Sequence, residues 1–200
     1  MPMPKDNDRQ AGRVIVEADP DKRAPGPLRL VQQFVNSAEP DEDLDEMTTP
    51  AELHNWLRSR GLAEEDTEVG EAELRRALDV REGLRAVLFT HNGGERDPEA
   101  TARLERAAGA AALRASFPAE GDPALVPVRQ GVNGALAGLL AIVAAEAAAG
   151  TWRRLKACAD PECRWAFYDH SRNRSGKWCS MATCGNQHKA RNFRARQASS

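Results

Sequence analysis

The residues best equipped for chemistry in this 200-residue chain are four cysteines, Cys158, Cys163, Cys179 and Cys184, with none elsewhere. They form two C-x4-C pairs separated by fifteen residues. Each pair can turn back on itself so that two thiolates face one centre, and the spacer can bring the second pair round to complete a tetrahedron. The spacing predicts one bound metal ion, and four protein ligands leave no open position, so the ion is expected to be structural. Zinc suits the set, because no redox partner motif accompanies it. Four thiolates also hold iron–sulfur clusters, and two disulfides are the remaining alternative, disfavoured where thiols stay reduced.

Charge gathers around the same cysteines. Residues 151–200 carry eleven Lys or Arg against three acids, a net +8, whereas the whole chain is at −2. Such an asymmetry points to nucleic acid, since a cationic module gains free energy by releasing counterions from phosphates. A solubilising tail is the plainer explanation. The segment "SRNRSGKW" reads as a tight basic loop bearing Arg172, Arg174 and Lys177. After Cys184, "GNQHKARNFRARQ" reads as a helix with Ala190, Phe193 and Gln197 along one seam and Phe193 as its anchor. Asn186, Lys189, Arg191, Arg194 and Arg196 lie on or beside it, and with the loop cations they are the candidate nucleic-acid contacts. Arg outnumbers Lys in this region, which suits bidentate contacts to phosphate or guanine. His170 and His188 are expected to face solvent or phosphate rather than metal.

Between the cysteine pairs, "RWAFYD" alternates Trp165 and Phe167 with Ala166 and Tyr168, which predicts a short strand whose aromatics pack. Were they exposed, they could stack on unpaired RNA bases.

The elements that must position this module are helical. "PLRLVQQFVNSA" from Pro27 sets Leu30, Val31, Phe34 and Val35 on one face. The acidic run "EPDEDLDE", Glu39 to Glu46, is expected to be a solvated loop that could compete with phosphates for the basic module. "TPAELHNWLRSRGL" is a complete helix: Thr49 caps, Pro50 fits the first turn, Glu52 closes a capping box and Gly61 terminates. Leu53, Trp56 and Leu57 form its buried face. A longer helix is predicted over Glu71 to Thr90, another from Asp97-Pro98 to about Ala115, an extended segment near Ala124 to Arg129, and an Ala-rich buried helix over about Val132 to Ala149. A short strand over Arg13 to Ala18 is the one feature of the N-terminus.

The predicted fold is mainly α. A segment over residues 1–26 leads into a helical domain with minor β over 27–150, and a small zinc-stabilised β-hairpin and helix occupies 151–200. With 41% hydrophobic and 29% charged residues, the composition is that of an ordinary folded protein. The longest apolar stretch, Gly134 to Ala145, is short of the roughly 20 residues that span a bilayer, and the N-terminus lacks a secretory pattern. No membrane association and a cytoplasmic location are therefore expected. His54 and His91 are the only histidines before the module, the carboxylates show no diagnostic spacing and no thiol nucleophile precedes residue 158, so no enzymatic site is expected.

Residues 158–196 resemble the CGNR-type zinc finger found at the C-terminus of a bacterial family of stress-induced transcription regulators. The resemblance rests on Cys158, Cys163, Asp169, Ser171, Asn173, Trp178, Cys179, Ser180, Met181, Cys184, Gly185 and Asn186. The Arg that ends that pattern is Gln187 here, which removes any contact it would make and leaves Lys189 or Arg191 to compensate. "QFVNSAEPDEDLDEMTTPAELHNWL" is similar to the family's helical domain. The resemblance implies a DNA-binding regulator with one structural zinc, whose helical domain senses a small-molecule effector or forms a homodimer. The alternative is an adaptor whose basic finger docks on an acidic partner or RNA.

Overall fold

The computed structural model describes residue 15 and residues 20–198, without the side chains of Asn192, Ala195, Arg196 and Ala198. The strand expected over Arg13 to Ala18 lies outside the described residues, Ile15 excepted. Six α-helices and three two-stranded antiparallel sheets follow one another along this stretch, a mainly α fold with minor β.

Helix α1 (Leu28–Val35) buries Leu28, Val31, Phe34 and Val35, one residue from the predicted face, with Leu30 at its margin. Helix α2 (Pro50–Arg58) starts in the predicted capping box. Thr49 Oγ1 accepts from the Glu52 amide at 3.2 Å while Glu52 Oε2 accepts from the Thr49 amide at 3.0 Å. Gly61, at φ +67°, turns the chain out of this helix. The long helix α3 (Glu71–His91) is the central post of the fold, touching α1, α2, α4 and α5. Gly83 lets α4 (Pro98–Ala108) come close, because a Cβ there would lie 2.4 Å from Leu104 Cβ.

Helix α4 ends earlier than the expected Ala115. Residues Leu113–Ser116 form strand β3 and pair with β4 (Ala124–Pro127) from Leu113 opposite Pro127 to Ser116 opposite Ala124. The helix-forming types Leu113, Arg114 and Ala115 yield to this pairing, as weak local propensity does when a partner strand is available. The acidic run is also more structured than a solvated loop. It makes a small hairpin, β1 (Ala38–Glu39) with β2 (Leu44–Asp45), and Asp45 carries a bidentate pair to Arg81 at 2.6 and 2.7 Å.

Helix α5 (Gly131–Ala148) was expected to be buried and is so only in its first half, through Val132, Ala135, Leu136, Ala137 and Leu139. Ala144, Ala145, Ala147 and Ala148 are exposed. With mean hydropathy 1.6 over its 18 residues, α5 is long and apolar enough to cross a membrane by length and composition, and 39% of it is buried inside the fold.

One apolar core runs from Ala24 to Tyr168, and the short hairpin of β5 (Leu155–Ala157) and β6 (Ala166–Tyr168) belongs to it through Leu155, Ala157, Ala166 and Tyr168. Strand β5 packs on α3, and β6 on α1. All six strand residues are buried, so no inside–outside alternation exists for Trp165 and Phe167 to follow. The cysteine module is therefore rooted in the helical body, at a seam the chain's composition does not announce.

Candidate metal centre and its cationic surround

The hairpin register fixes the first two cysteines. Ala157 faces Ala166, and the ladder extends one step further as the Cys158 amide donates to Trp165 O at 2.9 Å. The chain then reverses through Asp160 and Pro161 and returns with Arg164 at φ +49°, its amide donating to Asp160 O at 3.1 Å. That turn points Cys163 back at Cys158. The second pair comes from residues 177–185. The Ala159 amide donates to Lys177 O at 2.9 Å, joining the two cysteine loops, and a π-helical turn over Met181–Gly185, capped by Ser180 Oγ on the Thr183 amide, swings Cys184 towards Cys179. Met181 folds over Gly185, where a Cβ would lie 2.8 Å from Met181 Sδ and displace that side chain.

The four Sγ atoms lie within 4.8 Å of one another. Cys163 to Cys179 and Cys179 to Cys184 are each 3.7 Å. A tetrahedron with metal–sulfur bonds of 2.3 Å has edges of about 3.8 Å, so these spacings match a tetrathiolate zinc site. All four cysteines are free of disulfides. Cys158, Cys163 and Cys184 are buried and Cys179 is half-buried, with Trp165, Trp178 and Ile15 packed around them. The protons make the same point. The thiols of Cys163 and Cys179 donate to Cys158 and pull its pKa down to about 2, whereas contact with that neighbouring sulfur pushes Cys163 and Cys179 up, and burial does so for Cys184. Like charges at this range prevent four ionisations together unless a cation offsets them. The donor set fits a single structural zinc ion, held by Cys158, Cys163, Cys179 and Cys184.

The basic loop is organised by a buried ion pair. Asp169, beneath the loop, accepts from Lys156 Nζ at 2.8 Å and from the amides of Ser171 and Gly176 at 3.0 and 2.8 Å. Burial alone would raise the Asp169 pKa, but these donors hold it well below the usual carboxylate range. Lys156 Nζ also donates to Arg174 O and Gly176 O at 2.6 and 3.1 Å. A side chain at Gly176 would meet Asp169 Oδ1 at 2.9 Å, so only glycine admits this approach. The loop is pinned from below, and Arg172, Arg174 and Lys177 stand exposed above it.

Helix α6 (Asn186–Ala198) departs from expectation. Ala190, Phe193 and Gln197 are exposed, Phe193 at 58%, so no apolar seam anchors the helix. What holds it is the π-helical turn, the Trp178–His188 ring contact with centroids 4.7 Å apart, and an ion pair from Arg191 to the buried Asp160. Phe193 faces solvent because, among the described residues, no element packs opposite the seam. Asn186, Lys189 and Arg194 are exposed with it, and the Arg196 side chain lies outside the described residues. Not every cation counted in the module is free for a partner. Lys156 and Arg191 are ion-paired, Arg154 bonds the carbonyls of Asp169 and Ser171, and Arg164 stacks on Phe89 at 4.7 Å. Trp165, Phe167 and Tyr168 are buried, which removes them as a stacking platform for RNA. His170 is bonded to Arg23 O at 2.8 Å and takes no part in the thiol cluster.

Sequence reasoning missed the residues that clamp the module to the helical body. The Asn36 side chain both donates to Ala166 O at 2.9 Å and accepts its amide at 2.7 Å, closing the open edge of β6 as a further strand would. Gln32 Nε2 adds a bond to Ala166 O at 3.0 Å. Asn92, at the end of α3, donates to Ala157 O and Lys177 O, both at 2.8 Å, and so holds the two cysteine loops together. Arg85, 2% exposed, reaches Val35 O, Ala38 O and Arg164 O and is paired with Glu82 at 2.9 Å. A signal for this existed in α3, where Arg81 and Arg85 occupy the stripe that Leu74, Ala77, Leu84 and Leu88 otherwise make apolar.

Residues 28–152 match the family described as "Putative stress-induced transcription regulator", known as ABATE, and residues 154–197 match the CGNR zinc finger. The chain belongs to the ABATE family. No curated protein matches it. The two matched segments of this ABATE protein meet at residue 153, within the link between α5 and β5, whereas its apolar core continues across that point. It is a regulator-family protein with a zinc-binding finger.

Proposed function

We propose that this protein is a DNA-binding transcription regulator whose finger contacts duplex phosphates through Arg172, Arg174, Lys177, Lys189 and Arg194, with Asn186 at the start of α6 beside them. The observation that carries the reading is the loop pinned by Asp169 and Lys156. It spends a buried ion pair to present three exposed cations in one fixed conformation, which a merely solubilising tail does not need. Arg191 is assigned a positioning role, through Asp160, and the Arg196 contact expected from the sequence is retained as part of the same basic helix. The helical body serves as the regulatory part. A non-enzymatic role is supported by the engagement of both its histidines with backbone carbonyls, His54 with Glu64 O and His91 with Leu155 O. Four thiols free of disulfides support a cytoplasmic location.

Binding of zinc-loaded protein to random-sequence duplex, measured by fluorescence anisotropy across a salt series, tests this. Affinity should fall steeply with salt, with log K declining by about 0.9 per log unit of salt for each phosphate neutralised. Arg172→Ala and Lys177→Ala should each reduce the slope by about 1. Absence of duplex binding at low salt, or a slope unchanged in both variants, overturns the reading.

A further inference from the structure

A groove of about 700 Å³ opens where the C-terminal ends of α3 and α5 meet the basic loop of the finger. Three of its lining residues are arginines from three separate stretches: Arg96 from the turn after α3, Arg153 from the link between α5 and β5, and Arg174 from the finger loop. Among the described residues, no acidic one lines it. All three arginines are exposed, and among the described residues none of their side chains makes an ion pair or hydrogen bond. This sets them apart from Arg81, Arg85 and Arg191, each of which meets a carboxylate. Two helix C-termini contribute about half a negative charge each, which three guanidiniums exceed. His91 and Trp152 complete the wall, their rings edge to face with centroids 5.3 Å apart. Gly94 and Gly150 line the groove with backbone and leave it open.

We propose that this groove binds a small phosphate-bearing ligand, whose oxygens engage Arg96, Arg153 and Arg174 together. A guanidinium presents parallel N–H donors that match phosphate oxygens bidentately, and three such forks converging on one concavity suit a compact polyanion. A duplex backbone instead spreads its charge along an axis, and the exposed loop and α6 cations serve that better. The ligand would join the helical body, through Arg96, to the finger, through Arg174. It would thereby set the position of the basic loop against the end of α3. The site supplies the effector half of the regulator reading and rests on that reading only for its purpose, so binding is measured without DNA.

The zinc-loaded full chain is titrated with inorganic phosphate at constant ionic strength, and backbone amide shifts are followed by NMR. Saturable shifts should centre on Gly94, Gly150, Trp152 and Arg174. Arg96→Ala and Arg153→Ala should each weaken binding by about tenfold, the loss expected when one charged hydrogen-bonding partner is removed. Arg75→Ala, exposed on α3 and off the groove, should bind phosphate as the parent does. Non-saturable shifts, or an unchanged affinity in both Arg96→Ala and Arg153→Ala, overturn the proposal. So does a result in which Arg96→Ala weakens duplex binding while phosphate affinity stays the same, since the groove would then serve a DNA backbone. Failure of duplex binding alongside saturable phosphate binding at the groove removes the DNA reading and leaves this one standing.

Discussion

The two cysteine pairs look alike in sequence and stand on unlike foundations. Cys158 and Cys163 leave a hairpin whose six strand residues are buried in the main core and whose free edge is closed by Asn36. Cys179 and Cys184 sit on a segment that leads into α6, which is exposed along its described length and contacts chiefly the turn before it. The first pair is placed by ordinary packing before any metal arrives. The second pair is tied to the body at Lys177 O, ahead of Cys179, and beyond that point it is expected to rely on the metal for its order. A zinc module need not be autonomous: here one half is borrowed from the neighbouring core, and the ion is expected to secure the other.

The largest effect that could break this contrast comes from metal removal. Structural zinc in isolated fingers carries about 10–16 kcal/mol of folding free energy. In this chain, chelation should erase the helical signal of α6 and open residues 179–198 to protease, while the body keeps its cooperative melting transition. One shared transition lost on chelation, seen by circular dichroism and limited proteolysis together, would show that both pairs depend equally on the ion.

Next in size is Arg85→Met. It leaves Glu82 with one cationic partner and strands three carbonyls that link α1, β1 and the first cysteine loop. Glu82 is 42% exposed and keeps Arg81, so the cost falls mainly on the carbonyls left without this donor, about 3 kcal/mol or more, to be read from urea unfolding. The first cysteine loop should loosen with it, which sharpens the claim that packing seats that pair.

Asp169→Asn should cost about 3 kcal/mol, because Lys156 stays buried without its counter-charge. It also tests a pH effect. The folded-state pKa of Asp169 is depressed, so its contribution is fully present above the ordinary carboxylate value of about 3.9 and is lost as pH falls from there towards the folded value. Stability of the parent should decline over that acid range more steeply than that of the variant. Equal slopes in urea titrations would remove Asp169 as the source.

The smallest effect is expected at Phe193→Ser. An aromatic 58% exposed contributes little, so unfolding should shift by no more than about 0.5 kcal/mol. A large loss would mean that α6 packs on something and that the contrast between the two halves is overdrawn.

The sequence made the cysteine geometry and the helix caps legible, because both are set by short spacings. Thr49 with Glu52 and the two C-x4-C pairs needed no distant partner to be read. It also made α1 and α3 legible, through apolar residues repeating at the helical period. Phe193 misled for the same reason: a seam can be amphipathic on paper and find no opposing surface. The end of α4 was invisible because Leu113–Ser116 owes its strand to Ala124–Pro127, a partner eight and more residues away. The clamp residues Asn36, Asn92 and Arg85 were invisible for a related reason. Their partners are backbone atoms, which carry no residue-type signature.

Asn92 has a consequence for what the chain can tolerate. It is the residue at which α3 stops, and its amide grips carbonyls on both sides of the metal site. A single residue inserted late in α3 would rotate that amide by about 100° and advance it by about 1.5 Å, enough to release both carbonyls at once. The helix is thus a measured spacer, whose length in whole residues dictates whether the two thiol-bearing loops stay docked to the bundle.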